Sequence, residues 1–410
     1  MGVLSFKSLL VVGVLVAFTA YYARPVFPAT ASNHGLKTFV GLSFKIIHIV
    51  SYAGGFLGFS PINITRAMLG VSAVFDKPSD TVESFTTTMD GIEVTIFRPI
   101  AKSEALRPGI LHYHGGGWVH LSPKLYAPFC KAVVDQTQSV LVSVNYRLAP
   151  EHLYPTPLED CLKASRYFLR NAKEYGVDEN RVGVKGDSAG GNLAMAAALK
   201  LSKEKDLPSL KLMSLDYPAL QFFDFNLPCY QKYEHGPGFL TKRLIITYAL
   251  LHAFGHIEYY DLLYEDHHVT EELKKSKYAQ YVSKDLLPLH IQSDARNSSM
   301  EETKGDRNRM QVPDELTKIL TDPYFAPLMA SDEDLELLPP AYIFNAEFDV
   351  LRDDGFLLAA RLERLGKTVK MTHLVNEEHG YLNFVSIDPS VMDEIRNFAM
   401  FFNDTLKINT

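Results

Sequence analysis

Ser188 lies in Gly186-Asp187-Ser188-Ala189-Gly190-Gly191, where residue types and spacing suit nucleophilic catalysis. A Gly-x-Ser-x-Gly turn is so tight that side chains at Gly186 and Gly190 would clash, and it thrusts the serine hydroxyl outward. Upstream, Arg181–Lys185 is a short run of strand type. Downstream, Asn192–Leu199 is rich in Ala and Leu and forms helix readily. Strand, elbow and helix together aim the helix's free N–H groups at a developing anion. A chance Gly-Ser-Gly loop gives the same short motif, and the GDSxGG spelling occurs around trypsin-like serines. Those serines sit in disulfide-rich, all-β chains with no following helix. This chain has three cysteines and an Ala-rich helix, so the elbow reading is preferred.

Ester or amide cleavage by serine also needs a base, an acid that orients it and an oxyanion hole. The strand reading of Pro340–Ala346 ends at Glu347-Phe348-Asp349, and that of Val369–Val375 ends at Asn376-Glu377-Glu378-His379-Gly380. Loops beyond strand C-termini are where open parallel sheets place function. Asp349 is the expected acid and His379 the expected base, in the order Ser, Asp, His. Glu347 is an alternative acid. His373 falls within its strand and is expected to pack, and Asp353 and Asp354 read as caps of the following helix. Gly115-Gly116-Gly117, after the strand Gly109–His114 and before Trp118, reads as the oxyanion element together with the amide of Ala189. A phosphate cradle is excluded, because no Gly-Lys-Ser/Thr follows.

These residues need a scaffold. Short uncharged or alternating runs at Ile92–Phe97, Gly109–His114, Ser139–Val144, Arg181–Lys185 and Leu212–Pro218 read as strands. Leu158–Tyr175 reads as a helix between them. After residue 335 the alternation resumes, with helices expected over Gly355–Leu365 and Val391–Phe402. The pattern predicts an α/β fold: a mostly parallel sheet covered by helices on both faces, with residues 219–335 inserted as a lid. At 410 residues, 47% hydrophobic and 22% charged, the chain supports one large core. A net charge of −7 without a basic stripe argues against nucleic acid as a partner. Cys130, Cys161 and Cys229 show no metal-ligand spacing, and their odd count excludes a fully paired framework.

Ser8–Ala23 is 16 residues without a charge, followed closely by Arg24. With Lys7 snorkelling, it reads as an uncleaved membrane anchor over residues 1–23. A cleaved signal peptide fits less well, because small residues are missing at the −3 position. Residues 24–84 read as an N-terminal cap segment and 85–410 as the catalytic domain. Leu36–Val50 is expected to be a helix packed on the domain rather than a second span, since Lys45 and His48 are costly in mid-bilayer, with a helix lying in the membrane interface as the alternative. Asn-x-Ser/Thr sequons stand at Asn63, Asn297 and Asn403, with Asn297 the favoured acceptor.

Taken together, the N-terminal apolar segment, His114–Trp118, Asn145–Pro150, Gly186–Asn192, Tyr217–Leu220, Asp349–Asp354 and His379-Gly380 resemble the hormone-sensitive-lipase family of α/β-hydrolases. The resemblance is nearest to its arylacetamide deacetylase and neutral cholesterol ester hydrolase group. It implies Ser188 as nucleophile, Asp349 as acid and His379 as base, with Gly116, Gly117 and Ala189 as oxyanion donors. It implies an enzyme free of cofactor and metal that cleaves carboxylic esters and some amides. It also implies a single N-terminal anchor with the catalytic domain in the endoplasmic reticulum lumen. A non-catalytic binding protein on the same fold is the competing reading. The lid stretch Phe239–Tyr264 is rich in Leu, Ile, Phe and Tyr, which suggests lipophilic substrates, although packing of the lid uses the same residues.

Overall fold

The structure, a computed structural model, describes residues 27–71, 73, 76–292 and 312–407. The anchor stretch and Asn297 lie outside these residues.

The alternating runs form one eight-stranded sheet. Its strands are β1 (Val82–Met89), β2 (Ile92–Pro99), β3 (Arg107–Tyr113), β4 (Val140–Val144), β5 (Val177–Asp187), β6 (Leu212–Asp216), β7 (Ala341–Phe348) and β8 (Val369–Glu378). Their spatial order is β1-β2-β4-β3-β5-β6-β7-β8. The six strands from β4 to β8 are parallel, and the β1–β2 hairpin joins antiparallel through β2. β4 is buried at every position, which is why its sequence, VLVSV, carries no charge.

Two helices follow Asn33: α1 (His34–Phe56) and α2 (Pro61–Gly70). Within the sheet domain come α3 (Ala127–Thr137), α4 (Thr156–Asn171), α5 (Ala189–Leu201), α6 (Pro228–Tyr233) and α7 (Lys242–Phe254). They are followed by α8 (Arg352–Arg364) and α9 (Val391–Leu406), with further short helical segments between. α3 and α9 cover one face of the sheet, and α4, α5 and α8 the other. Helix α5 is buried at 12 of its 13 residues. A helix enclosed that completely must be apolar nearly all round, and its run of alanines lets it lie close on the strands.

The insertion between β6 and β7 carries α6 and α7. Leu240, Ile245, Ile246, Ala249 and Leu250 are buried in the core, so much of its apolar content serves packing. The helical stretch expected over Thr241–Leu263 breaks at Gly255, whose φ of 76° ends α7. Asp353 and Asp354 do not cap α8. Asp353 accepts the Cys229 N–H at 2.8 Å and Asp354 the Leu220 N–H at 2.8 Å, so both tie the base of the insertion to the sheet. Cys130, Cys161 and Cys229 are buried, free thiols.

Helix α1 is longer than the expected Leu36–Val50, and it packs on the domain along a narrow strip only. Of its 23 residues, Lys37, Gly41, Ser51 and Gly54 are buried. The small residues allow close approach, and an added Cβ at Gly54 would run into Ile64 of α2.

Candidate active site

β5 ends at Asp187 and α5 begins at Ala189, leaving Ser188 alone in the turn with φ 55° and ψ −121°. A residue other than glycine held there costs about 1–3 kcal/mol, supplied by the surrounding structure. A Cβ on Gly186 would strike the Gly190 backbone, and one on Gly190 would strike the Tyr113 and His114 carbonyls. The Ser188 N–H donates to the Asp216 carbonyl at 2.9 Å, and Asn192 donates to the Ala219 and Phe325 carbonyls at 2.8 Å each. The elbow is thereby fastened to β6 and to the insertion.

The structure brings Ser188, His379 and Asp349 together. His379 Nε2 lies 2.9 Å from Ser188 Oγ, and His379 Nδ1 lies 2.7 Å from Asp349 Oδ2. The second Asp349 oxygen accepts the Leu351 N–H at 2.8 Å. All three side chains are buried. In this arrangement the imidazole can take the serine proton at Nε2 while Asp349 holds Nδ1–H and stabilises the imidazolium.

The glycine loop expected to face the anion follows β3. Gly116 and Gly117 have φ of 110° and 62°, a region costly for side chains. A Cβ on Gly117 would also strike the Tyr248 ring of α7. Among the described residues, the amides of Gly116, Gly117 and Ala189 donate to no protein acceptor. Gly115 is a correction to the sequence reading. Its N–H donates to Asp187 Oδ1 at 2.9 Å, with Tyr126 Oη at 3.1 Å, so it is not free for substrate.

Asp187 therefore has a role that sequence reasoning missed. Tyr126 Oη donates to its other oxygen at 2.7 Å, and the carboxylate braces the glycine loop from beneath. Burial raises the Asp187 carboxyl; the Tyr126 hydrogen bond opposes this and the Asp216 charge adds to it, leaving it at about 6. Tyr146 stacks on His114 at 4.3 Å and donates to its carbonyl at 2.6 Å. Tyr146 was visible within Asn145–Pro150, and Asp187 within the elbow. Nothing local marks Tyr126.

Glu347, the alternative acid, faces elsewhere. It accepts from Lys232 at 3.0 Å, Tyr233 at 2.5 Å and Arg352 at 2.9 Å, and His373 Nε2 lies 3.1 Å away. Above the site, Phe239 stands edge-on to His379 at 5.7 Å, and Phe44 of α1 stacks on Phe239 at 4.5 Å. Two of the sequons are described. Asn63 is exposed in the first turn of α2, and Asn403 is half-buried within α9.

A family model described as alpha/beta hydrolase fold matches residues 110–275 and 288–383. Neutral cholesterol ester hydrolase 1 of Rattus norvegicus is 33% identical over 97% of this chain and 98% of that protein. Arylacetamide deacetylase of Oryctolagus cuniculus is 32% identical over 92% of this chain and 93% of that protein. Among solved structures, a hyperthermophilic esterase from the archaeon Pyrobaculum calidifontis is 25% identical. It has a TM-score of 0.62 over 87% of this chain and 97% of that one.

Proposed function

This chain belongs to the α/β-hydrolases, in the hormone-sensitive-lipase family, and from that premise we propose that it is a membrane-anchored serine esterase acting on lipophilic carboxylic esters, with aryl amides as a second substrate class. The observation that carries the chemistry is the His379 ring bridging Ser188 and Asp349 at 2.9 and 2.7 Å. Ser188 Oγ attacks the ester carbonyl carbon as its proton passes to His379 Nε2. The oxyanion of the tetrahedral intermediate accepts the N–H groups of Gly116, Gly117 and Ala189. Collapse breaks the acyl C–O bond, and the alcohol leaves with the proton from His379. Water then attacks the acyl-serine by the same route and regenerates Ser188.

Residues 1–23 are the proposed anchor, 24–84 the cap and 85–410 the hydrolase domain. The catalytic domain is assigned to the endoplasmic reticulum lumen, with Asn297 as the glycan acceptor. The relatives' names support ester and aryl-amide substrates, and Phe239 and Tyr248 beside the site support apolar ones.

The test is labelling by a fluorophosphonate probe. The parent protein is expected to label and Ser188→Ala not to. A folded parent that fails to label would favour the non-catalytic binding reading. For specificity, kcat/KM across p-nitrophenyl acetate, butyrate and octanoate should climb with acyl length until the pocket is full, each buried methylene adding up to about 0.8 kcal/mol. A flat profile would point to a small polar substrate. For topology, retention in the pellet at alkaline pH and a glycosidase-sensitive band are expected.

A further inference from the structure

We infer that helix α1 and the turn into α2 form a second membrane contact, a face that lies in the surface of the phospholipid bilayer beside the active site. The inference rests on the anchor reading above. Its first support is exposure. Of the 18 large apolar residues exposed among the described ones, eight fall between Phe39 and Phe59. Phe56, Leu57, Tyr52, Phe39 and Phe59 are each at least 64% exposed.

Phe39, Ile46, Val50 and Leu57 share one line along the helix, with Ile49 and Phe56 flanking it. The buried Lys37, Gly41, Ser51 and Gly54 lie on the other side. The pattern is an amphipathic helix whose apolar face points away from its own protein. Monomeric proteins rarely leave such a face to water.

Charge and tether point to lipid as the occupant. The first 75 residues contain Lys7, Arg24, Lys37, Lys45 and Arg66 and no Asp or Glu, in a chain of net charge −7. A segment that excludes acids from a mildly acidic chain suits the surface of a phospholipid membrane. The anchor stretch ends at Ala23, and ten residues lead from it to His34. Fully extended, they reach about 35 Å, so the face is never far from the bilayer. Half of its eight exposed apolar side chains are aromatic, Tyr52 among them, a type enriched at the membrane–water boundary.

The same helix touches the catalytic loop. Lys37 pairs with Glu377 at 2.6 Å and with Glu378, the residue before His379. Ser32 hydrogen-bonds Glu377 at 2.5 Å and Asn33 bonds Asp388 at 2.7 Å. Phe44, on the side of α1 that faces the domain, stacks on Phe239 beside His379. A bilayer against the outer face of α1 thus lies one helix away from the site, and the inner face of the same helix reaches Phe239 beside His379.

The experiment uses the full chain in phosphatidylcholine vesicles. Phe56→Cys carries an environment-sensitive fluorophore, and the 80%-exposed Leu289→Cys on the insertion serves as control. Lipids brominated near the headgroup end of the acyl chain should quench the Phe56 site at least twofold and leave the Leu289 site unchanged. Equal quenching at both sites overturns the inference. So does a shielded Phe56 fluorophore with no lipid quenching, which would mean that a second copy of the chain covers the face. Alkaline extraction separates this reading from the anchor: protein retained but unquenched leaves the anchor standing without the docking face, and protein released yet quenched does the reverse. The variant Phe56→Ser/Leu57→Ser/Phe59→Ser should lower kcat/KM at least fivefold for a long-chain ester carried in the vesicles. Turnover of soluble p-nitrophenyl acetate should stay within twofold, which also reports that the variant is folded. Equal changes on both substrates would overturn the inference.

Discussion

Strands β7 and β8 deliver a histidine–carboxylate pair twice. Just past the strand ends His379 meets Asp349 at 2.7 Å, and within the strands themselves His373 stands 3.1 Å from Glu347. Composition does not separate the two pairs; their surroundings do. Among the described residues Asp349 pairs with no lysine or arginine, and its second oxygen accepts one backbone N–H. Glu347 is enclosed by Lys232, Arg352 and Tyr233. Burial alone would raise the Glu347 carboxyl, but His373, Arg352, Tyr233 and Lys232 hold it well below the usual carboxylate range. The far nitrogen of His379 reaches Ser188. His373 lies against Phe356, with ring centroids 5.1 Å apart. A histidine–carboxylate pair becomes a proton relay when a nucleophile waits on its other side and no cation competes for the acid.

Mutating the two pairs in parallel breaks or sharpens this contrast. His379→Ala should lower kcat/KM by about 10⁴–10⁶, as Ser188→Ala should, because removing either member of the pair removes the covalent route. His373→Ala should stay within about threefold, since nothing reacting touches it. Next in size is Asp349→Asn, expected to cost about 10⁴ in kcat by leaving the imidazole in the wrong tautomer. Glu347→Gln should leave kcat nearly unchanged. Steady-state kinetics on p-nitrophenyl butyrate checks all five variants. Substantial turnover by Asp349→Asn with loss in Glu347→Gln would transfer the acid role to Glu347.

The oxyanion loop comes third. Gly117→Ala places a methyl against Tyr248 at a backbone φ of 62°. The loop must shift, and kcat should fall by about 10²–10³, the usual loss for one misplaced donor. KM should change less. A fall in kcat/KM carried by KM alone would assign the loop to binding instead.

Sheet, elbow and strand-end residues were legible because each is marked locally. Period-two runs mark β2 and charge-free runs mark β4, and glycines mark positions where a Cβ cannot fit. Asp349 and His379 could be placed because each follows a strand. Contacts made by distant side chains carried no such signal. Gly115 reads as a donor until the fold brings Asp187, 72 residues on, beneath its N–H. Asp353 and Asp354 read as caps until the insertion packs above them. The Lys37–Glu377–Glu378 cluster joins residues about 340 apart, a pairing that no local pattern encodes. Periodicity placed a helix near Leu36–Val50 but could not say how little of it would be buried.

The Glu347 cluster should show itself in stability instead. Arg352 is fully buried and counts Glu347 and Asp353 among its partners. Glu347→Gln leaves that guanidinium undercompensated, at a cost of about 3 kcal/mol. The sign with pH follows from the depressed carboxyl. The contribution of Glu347 is complete above its ordinary value of 4.5 and is lost as the pH falls below it. Chemical denaturation of the full-length protein in detergent should therefore show parent and variant converging in acid. A gap that widens in acid would contradict the assignment.

Asp187 should behave in the opposite way, and with the smallest effect. Its carboxyl is raised from an ordinary 3.8 to about 6, mainly by burial. Between those values the folded protein binds more protons than the unfolded chain, so this group's contribution falls as pH rises through that window. Asp187→Asn keeps the geometry, because its oxygen can accept the Gly115 N–H and its amide can donate to Tyr126 Oη. The variant cannot ionise and should escape the loss. Relative to the parent it should gain on the order of 2 kcal/mol between pH 4 and pH 7. Glu394, raised to about 7 chiefly by burial, shares part of the window, so the quantity to measure is the difference between variant and parent, from which the Glu394 contribution cancels. A difference that does not change with pH would mean that Asp187 is ionised in the fold throughout. The brace under Gly115 would then be an ordinary carboxylate, and the contrast with Glu347 would lie in its neighbours alone.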